Sequence, residues 1–115
     1  MIKQYNNFNI KDIHKKSIIL IGNFDGLHLG HQKLFHLAKK YKNKFYLKIG
    51  VLTFEPMPKM YFNKEIKNFR ISNQKQKISL LDKFNVDFVI TNKFDKKFSK
   101  IKSIDFINNI LFKKL

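Results

Sequence analysis

His28 and His31 stand three residues apart in a stretch that also holds Gly22, Gly26 and Gly30. Ten consecutive positions thus contain two of the four histidines and three of the four glycines of the chain. An imidazole donates hydrogen bonds, and a neighbouring anion favours its protonated form near neutral pH. Glycine lets the backbone turn sharply and lets a ligand approach the main chain, because no Cβ intervenes. If a helix begins near Leu29, the two histidines share a face at its start. That end carries unpaired N–H groups and the positive end of the helix dipole, which favour anions. The chemistry such a set suits is the holding of phosphate groups, and its geometry fits a triphosphate.

The elements that must position these residues are legible on either side. Ile18 to Ile21 is apolar and rich in β-branched residues, as a strand buried on both faces of a parallel sheet would be. Gly22-Asn23-Phe24-Asp25-Gly26 breaks that strand. From Leu29 onward, Leu34, Leu37, Ala38 and Tyr41 form an apolar helical stripe, with Lys33, Lys39 and Lys40 turned elsewhere. Lys42-Asn43-Lys44 reads as a polar connection and Phe45 to Phe54 as a second strand. Strand, helix and strand give a right-handed crossover and a parallel pair, whose loops share one crevice at the carboxyl ends of the strands. Those loops are Gly22 to His28 and Glu55 to Lys59. The second holds Glu55-Pro56-Met57-Pro58, with both prolines of the chain, and is accordingly stiff.

His28-Leu29-Gly30-His31, following Gly22-Asn23-Phe24-Asp25-Gly26, resembles the H-x-G-H signature of the nucleotidyltransferase superfamily in the form found in bacterial FAD synthetases (bifunctional riboflavin kinase/FMN adenylyltransferase). Leu52-Thr53-Phe54-Glu55-Pro56-Met57-Pro58, Lys77 to Leu81, Asn85-Val86-Asp87 and Phe94-Asp95-Lys96-Lys97-Phe98 are similar to successive blocks of that family, in the same order. The resemblance covers about Ser17 to Leu111. It implies a Rossmann-like α/β nucleotidyltransferase fold, a parallel sheet with flanking helices. The implied reaction is adenylyl transfer from ATP, with Mg²⁺, to FMN, giving FAD and pyrophosphate. His28 and His31 would be catalytic. Gly22, Asn23, Phe24, Asp25, Gly26, His28, Gly30 and His31 would hold ATP. Glu55, Pro56, Met57 and Pro58 would border the flavin, although Met57 stands where the family often has histidine. The metal ligands are left open. Two other readings remain: an H-x-G-H transferase acting on a different phosphate acceptor, and a non-catalytic basic module that binds nucleotide or RNA.

Elsewhere the pattern is plainer. Met1 to Lys16 reads as an edge strand or a loose lead-in, with His14 exposed among lysines. Tyr61 to Phe69 reads as a loop or flap. A helix capped by Ser72 runs through Lys83, burying Ile78, Leu81 and Phe84, and Asn85 ends it. Val86 to Thr91 forms the third strand and Asn92 to Lys102 a lysine-rich loop. Ser103 caps a last helix whose apolar face is Phe106, Ile107, Ile110 and Leu111.

With 115 residues, 43% of them hydrophobic, the chain has material for one domain or part of one. The later strand and the Ser/Thr-rich ATP-binding block of the resembled domain are not in the sequence, nor is a riboflavin kinase domain. The expectation is a single partial FMN adenylyltransferase domain over 1–115. No apolar run approaches the roughly 20 residues of a membrane span, and no signal-peptide core is visible, so a cytoplasmic setting is expected. The absence of cysteine excludes disulfides and thiolate metal sites. The net charge of +16 would attract polyanions. Even so, the lysines are spread along the chain and Arg70 is the single arginine, which speaks against a nucleic-acid surface.

Overall fold

A computed structural model describes residues 2–22, 24, 29–55 and 74–115. Four strands, β1 (Lys3–Tyr5), β2 (Ile18–Ile21), β3 (Ile49–Glu55) and β4 (Phe88–Lys93), form one sheet in the order β1-β4-β3-β2. Every pairing is parallel, with Leu20 opposite Val51, Val51 opposite Val89 and Gln4 opposite Val89. The parallel α/β class expected from the crossover pattern is therefore present. The lead-in segment resolves into an edge strand beside β4.

The long helix α1 (Leu29–Phe45) connects β2 to β3, and α2 (Gln74–Lys83) precedes β4. Strand alternation sends side chains to two faces. On one, Leu20, Ile49, Val51 and Val89 pack with Phe24, Phe35, Ala38 and Leu81, so α1 and α2 cover it. On the other, Leu52, Phe88 and Ile90 pack with Tyr5, Phe8, Ile10 and Ile110. The second cover is made by the segment between β1 and β2 and by the C-terminal helices. These are α3 (Lys96–Ser99) and α4 (Ser103–Phe106), which runs on into a wider π-type turn over Ile107–Phe112.

Several local expectations change. α1 continues through Phe45, and Tyr46 takes a left-handed conformation at φ 55°, so β3 begins only at Ile49. Lys42 belongs to the last turns of the helix, where its ammonium donates to Asp87 Oδ2 at 2.8 Å and to the Asn85 carbonyl at 3.2 Å. The buried face of α1 is Phe35 and Ala38, whereas Leu34, Leu37 and Tyr41 are exposed. Ser103 lies inside α4, with Lys102 at the cap position. Within the expected lysine-rich loop, Asp95 caps α3 by accepting the Phe98 N–H at 2.8 Å. Asn85, at φ 65°, ends α2 as expected for a residue that tolerates the left-handed region. The Ser72 cap and the Tyr61 to Phe69 loop lie outside the described residues.

His14 is buried, not exposed. Its ring stacks on Phe88 with centroids 4.6 Å apart, and its Nδ1 lies 2.6 Å from Tyr5 Oη. The Lys11 N–H donates to the same phenol oxygen at 3.2 Å, leaving the phenol hydrogen for Nδ1. Donation by the phenol uses an unprotonated Nδ1, the neutral state that burial favours. Burial, aided by the charge of Lys48, lowers the His14 pKa below its ordinary value, with Asp87 opposing. The aromatic wall on Phe88 outweighs the polar neighbours in sequence.

Candidate active site

The carboxyl ends of β2, β3 and β4 lie side by side, and the register fixes their relation. Gly22, the first residue past β2, donates its N–H to the Leu52 carbonyl at 3.0 Å, and Phe94 donates to the Glu55 carbonyl at 2.9 Å. β2 thus ends opposite Leu52, three residues short of the Glu55 and Lys93 ends of β3 and β4, and the segments after all three strands leave at the carboxyl end of the sheet, where parallel sheets bind ligands.

Phe24 is the anchor of the first loop. Its side chain is 3% exposed, and its ring meets Phe35 at 5.2 Å and His31, edge to face, at 5.1 Å. The residue adopts φ 51°, a conformation costly for a bulky side chain. Packing of the ring holds it there. Gly22 serves the same plug: a Cβ on it would stand 3.2 Å from the Phe24 ring, so any larger residue presses on the aromatic group. The sequence supplied a different motive, close approach of a ligand. That motive fits Gly30 better, since among the described residues nothing beyond its chain neighbours and its own helix backbone lies within 4 Å of the place its Cβ would occupy.

His31 is thus fixed in the first turn of α1, half-buried, with one edge of its ring against Phe24. Its neighbour Gly30 is exposed. The structure brings together Gly22, Phe24, Gly30 and His31 from the expected ATP set. Asn23, Asp25, Gly26 and His28 lie outside the described residues. So do Pro56, Met57 and Pro58 of the expected flavin set, leaving Glu55, which is half-buried at the end of β3.

Phe54 and Glu55 point to opposite faces of the sheet. Phe54 borders an open cavity of about 610 Å³, together with Ile21, Phe94, Phe98, Phe106 and Leu111. Phe54 and Phe98 approach at 5.3 Å, and Phe94 and Phe98 at 5.8 Å, so the walls are aromatic and apolar. A cavity of this size and lining suits a flat aromatic ring system. The expected flavin contacts lie in the Glu55 loop, whereas the residues from Phe94 to Phe106 that line this cavity carry no expected contact. The clustering of four phenylalanines at 94, 98, 106 and 112 was its available signal.

Glu55 and Thr53 share the α1 and α2 face. Thr53 is fully buried and accepts a hydrogen bond from Lys77 Nζ at 3.3 Å. Lys77, itself 1% exposed, falls four residues before Leu81 and so on the core face of α2. That spacing was readable beforehand. By contrast, Asp87 acts at the far end of the sheet. Its carboxylate accepts from Lys42 and from the Ile49 N–H at 2.9 Å, tying α1 to β3 and β4. Desolvation pushes its pKa up, but the hydrogen bonds from Lys42 and Ile49 and the charges of Lys42 and Lys48 outweigh this, so it is lowered overall.

Among the described residues there is no group of three or more His, Cys, Asp or Glu side chains that would hold a metal ion. No described helix is long and apolar enough to cross a membrane.

Comparison with known proteins agrees with this geometry. A family model described as FAD synthetase matches residues 10–115. The bifunctional riboflavin kinase/FMN adenylyltransferase of Buchnera aphidicola subsp. Acyrthosiphon pisum is 42% identical over 107 residues, taking in 93% of this chain and 34% of that protein. Its Escherichia coli K12 counterpart is 32% identical over 113 residues, covering 92% and 36%. A crystal structure described as a macrolide-efflux protein from Streptococcus pneumoniae superposes with a TM-score of 0.80 at 29% identity, covering 99% of this chain and 45% of that one. The chain spans about a third of the length of the curated relatives it matches.

Proposed function

Since the chain belongs to the FAD synthetase family, we propose that residues 1–115 carry the adenylyl-transfer half of that chemistry: ATP and FMN give FAD and pyrophosphate. The observation that carries the proposal is the pairing of two unlike sites at one end of the sheet. On one face His31 begins α1 beside the Phe24 plug, and on the other lies the aromatic cavity of Phe54, Phe94 and Phe98. A phosphate-holding corner next to a slot for a flat ring matches a nucleotide donor and a flavin acceptor.

In this reaction an oxygen of the FMN phosphate attacks the α-phosphorus of ATP, the bond to the bridging oxygen breaks, and pyrophosphate leaves. No protein nucleophile is required, so the residues act by positioning and by stabilising charge. His31 and His28 donate hydrogen bonds to phosphate oxygens as negative charge grows on the leaving pyrophosphate. The exposed first turn at Gly30 offers the phosphates the positive end of the helix dipole. Mg²⁺ bound with ATP would supply neutralisation of part of the phosphate charge; among the described residues no group of three or more His, Cys, Asp or Glu side chains would hold it. The riboflavin kinase activity in the relatives' names is assigned to the portion of those proteins outside the match. ATP and FMN are thus the expected partners, in a cytoplasmic setting, with the lysine excess serving attraction of these anions rather than nucleic-acid binding.

The test is FAD formation from ATP, Mg²⁺ and FMN, followed by chromatography, for the native chain and for His31→Ala and His28→Ala. Loss of one preorganised donor should lower turnover by about 100-fold or more, with the circular dichroism spectrum retained. Turnover equal to that of the native chain in either variant would remove that histidine from the mechanism.

A further inference from the structure

A second set of polar groups lies apart from the site described above. An open cavity of about 380 Å³ is lined by Asn7, Phe8, Asn9, Lys15, Lys113 and Lys114. Phe8 packs in the cluster of Leu52, Phe88 and Ile90, whereas Phe24, against which His31 rests, belongs to the cluster of Phe35 and Leu81. The two sites are therefore on opposite faces of the sheet.

Tertiary structure assembles this cavity from segments distant in sequence. The Lys16 N–H donates to the Leu115 carbonyl at 2.7 Å, which ties the segment before β2 to the end of the last helix. Lys15 thereby comes to one cavity with Lys113 and Lys114. Like charges brought together repel, and a cleft lined by one sign of charge focuses a field that draws in the opposite sign. Their own partners answer little of it. Lys15 pairs with Asp12 at 3.3 Å, but the Asp12 side chain is 95% exposed, so solvent screens the pair. Among the described residues neither Lys113 nor Lys114 forms an ion pair, and no acidic side chain belongs to the lining.

The neutral groups suit the same kind of ligand. Asn7 Oδ1 accepts the Asn9 N–H at 2.9 Å, so what the Asn7 side chain has left to offer is chiefly its amide nitrogen, a donor like the ammoniums. Phe8 is 9% exposed and forms a floor rather than a face on which a base could stack. Donors without an open ring recognise the oxygens of an anion and not a nucleobase.

We propose that this cavity is a second anion site, which takes a diphosphate group. Its volume leaves room for more than one phosphate, and three ammoniums match a charge spread over two. The proposal stands independently of adenylyl transfer. Free pyrophosphate and the tail of a nucleoside diphosphate share the required chemistry, and a site that reads charge alone should hold the two about equally.

Amide NMR of the whole chain, titrated with inorganic pyrophosphate and separately with ADP, tests this residue by residue. Saturable shifts are expected at Asn7, Asn9, Lys15, Lys113 and Lys114, with affinities for the two ligands within about threefold. In Lys113→Gln/Lys114→Gln the affinity read at Asn7, Asn9 and Lys15 should fall by about tenfold or more. Lys39→Gln/Lys40→Gln, which removes the same charge from the exposed side of α1, should change it by less than about twofold. Equal losses in the two variants would mean that net charge alone attracts the anion, and would overturn the inference. So would shifts that do not saturate, shifts confined to Gly22, Gly30 and His31, or a tenfold preference for ADP. Where the double variant loses its native spectrum, Lys15→Gln decides, and an unchanged affinity overturns the proposal.

Discussion

Phe24 concentrates the cost and the purpose of the site in one residue. A left-handed φ at a phenylalanine costs about 1–3 kcal/mol, and the ring recovers it by filling the space between Gly22, His31 and Phe35. Phe24→Ala should destabilise the chain by about 3–5 kcal/mol in urea unfolding, because alanine keeps the backbone strain and loses the packing. Phe24→Gly should recover about 1 kcal/mol relative to alanine. The sequence marked Phe24 as part of a glycine-bracketed loop, but nothing in a linear string says that the aromatic ring, rather than a ligand, claims the space above Gly22.

Two other residues set the response to acid. His14 has a pKa below 6.5 in the folded chain, so the unfolded chain binds more protons in the window just beneath that value. Its contribution is whole above pH 6.5 and is lost as the pH falls through the folded pKa. Asp87 is lowered from 3.8, and its contribution disappears in a second window below that pH. The urea midpoint should therefore decline in two stages on acidification. His14→Leu should abolish the upper stage and leave the lower, which a pH series of unfolding curves reads directly.

At the scale of elements, the sheet depends on a single missing side chain in its central strand. A Cβ on Gly50 would stand 2.2 Å from the Phe88 ring of β4. Gly50→Ala should cost about 1–3 kcal/mol or more through overpacking, and Phe88→Leu in the same chain should recover part of that loss. A double-mutant cycle of thermal unfolding checks this, since additivity of the two changes would mean that they do not meet. The strands themselves were legible because runs such as Ile18 to Ile21 and Ile49 to Phe54 are apolar at nearly every position. The face of α1 was not. Leu34, Leu37 and Tyr41 make one helical stripe, and His31, Phe35, Ala38 and Lys42 make another of equal regularity. Tertiary packing chose the second, because Phe35 and Ala38 meet the sheet while Lys42 reaches Asp87. The same neglect of a lysine on a core face concealed Lys77.

Across the whole molecule, the passed-over stripe of α1 becomes a surface. Leu37, Tyr41 and Phe45 are about half exposed on α1, the helix that follows the edge strand β2. Among the described residues β2 pairs with β3 alone. An apolar stripe near an open strand edge promotes association, whereas a net charge of +16 opposes it at low salt. The chain should therefore elute as a larger species in size-exclusion chromatography as salt and concentration rise, and Leu37→Lys should suppress the shift. A monomer under all of these conditions would contradict that expectation. The fold class followed from order and spacing, as did the expectation of a phosphate corner at Gly22 to His31, whereas the aromatic cavity required three segments to be brought to one face.

The most direct test of the central claim is an amide NMR titration of the chain with MgATP. Saturable shifts are expected, centred on Gly22, Phe24, Gly30 and His31 and reaching Thr53, at the carboxyl end of the sheet. Another cavity, of about 380 Å³, is lined by Asn7, Phe8, Lys15, Lys113 and Lys114, and offers ATP a purely electrostatic alternative. Shifts concentrated on Lys15, Lys113 and Lys114, with Gly22 to His31 unmoved, would contradict the account.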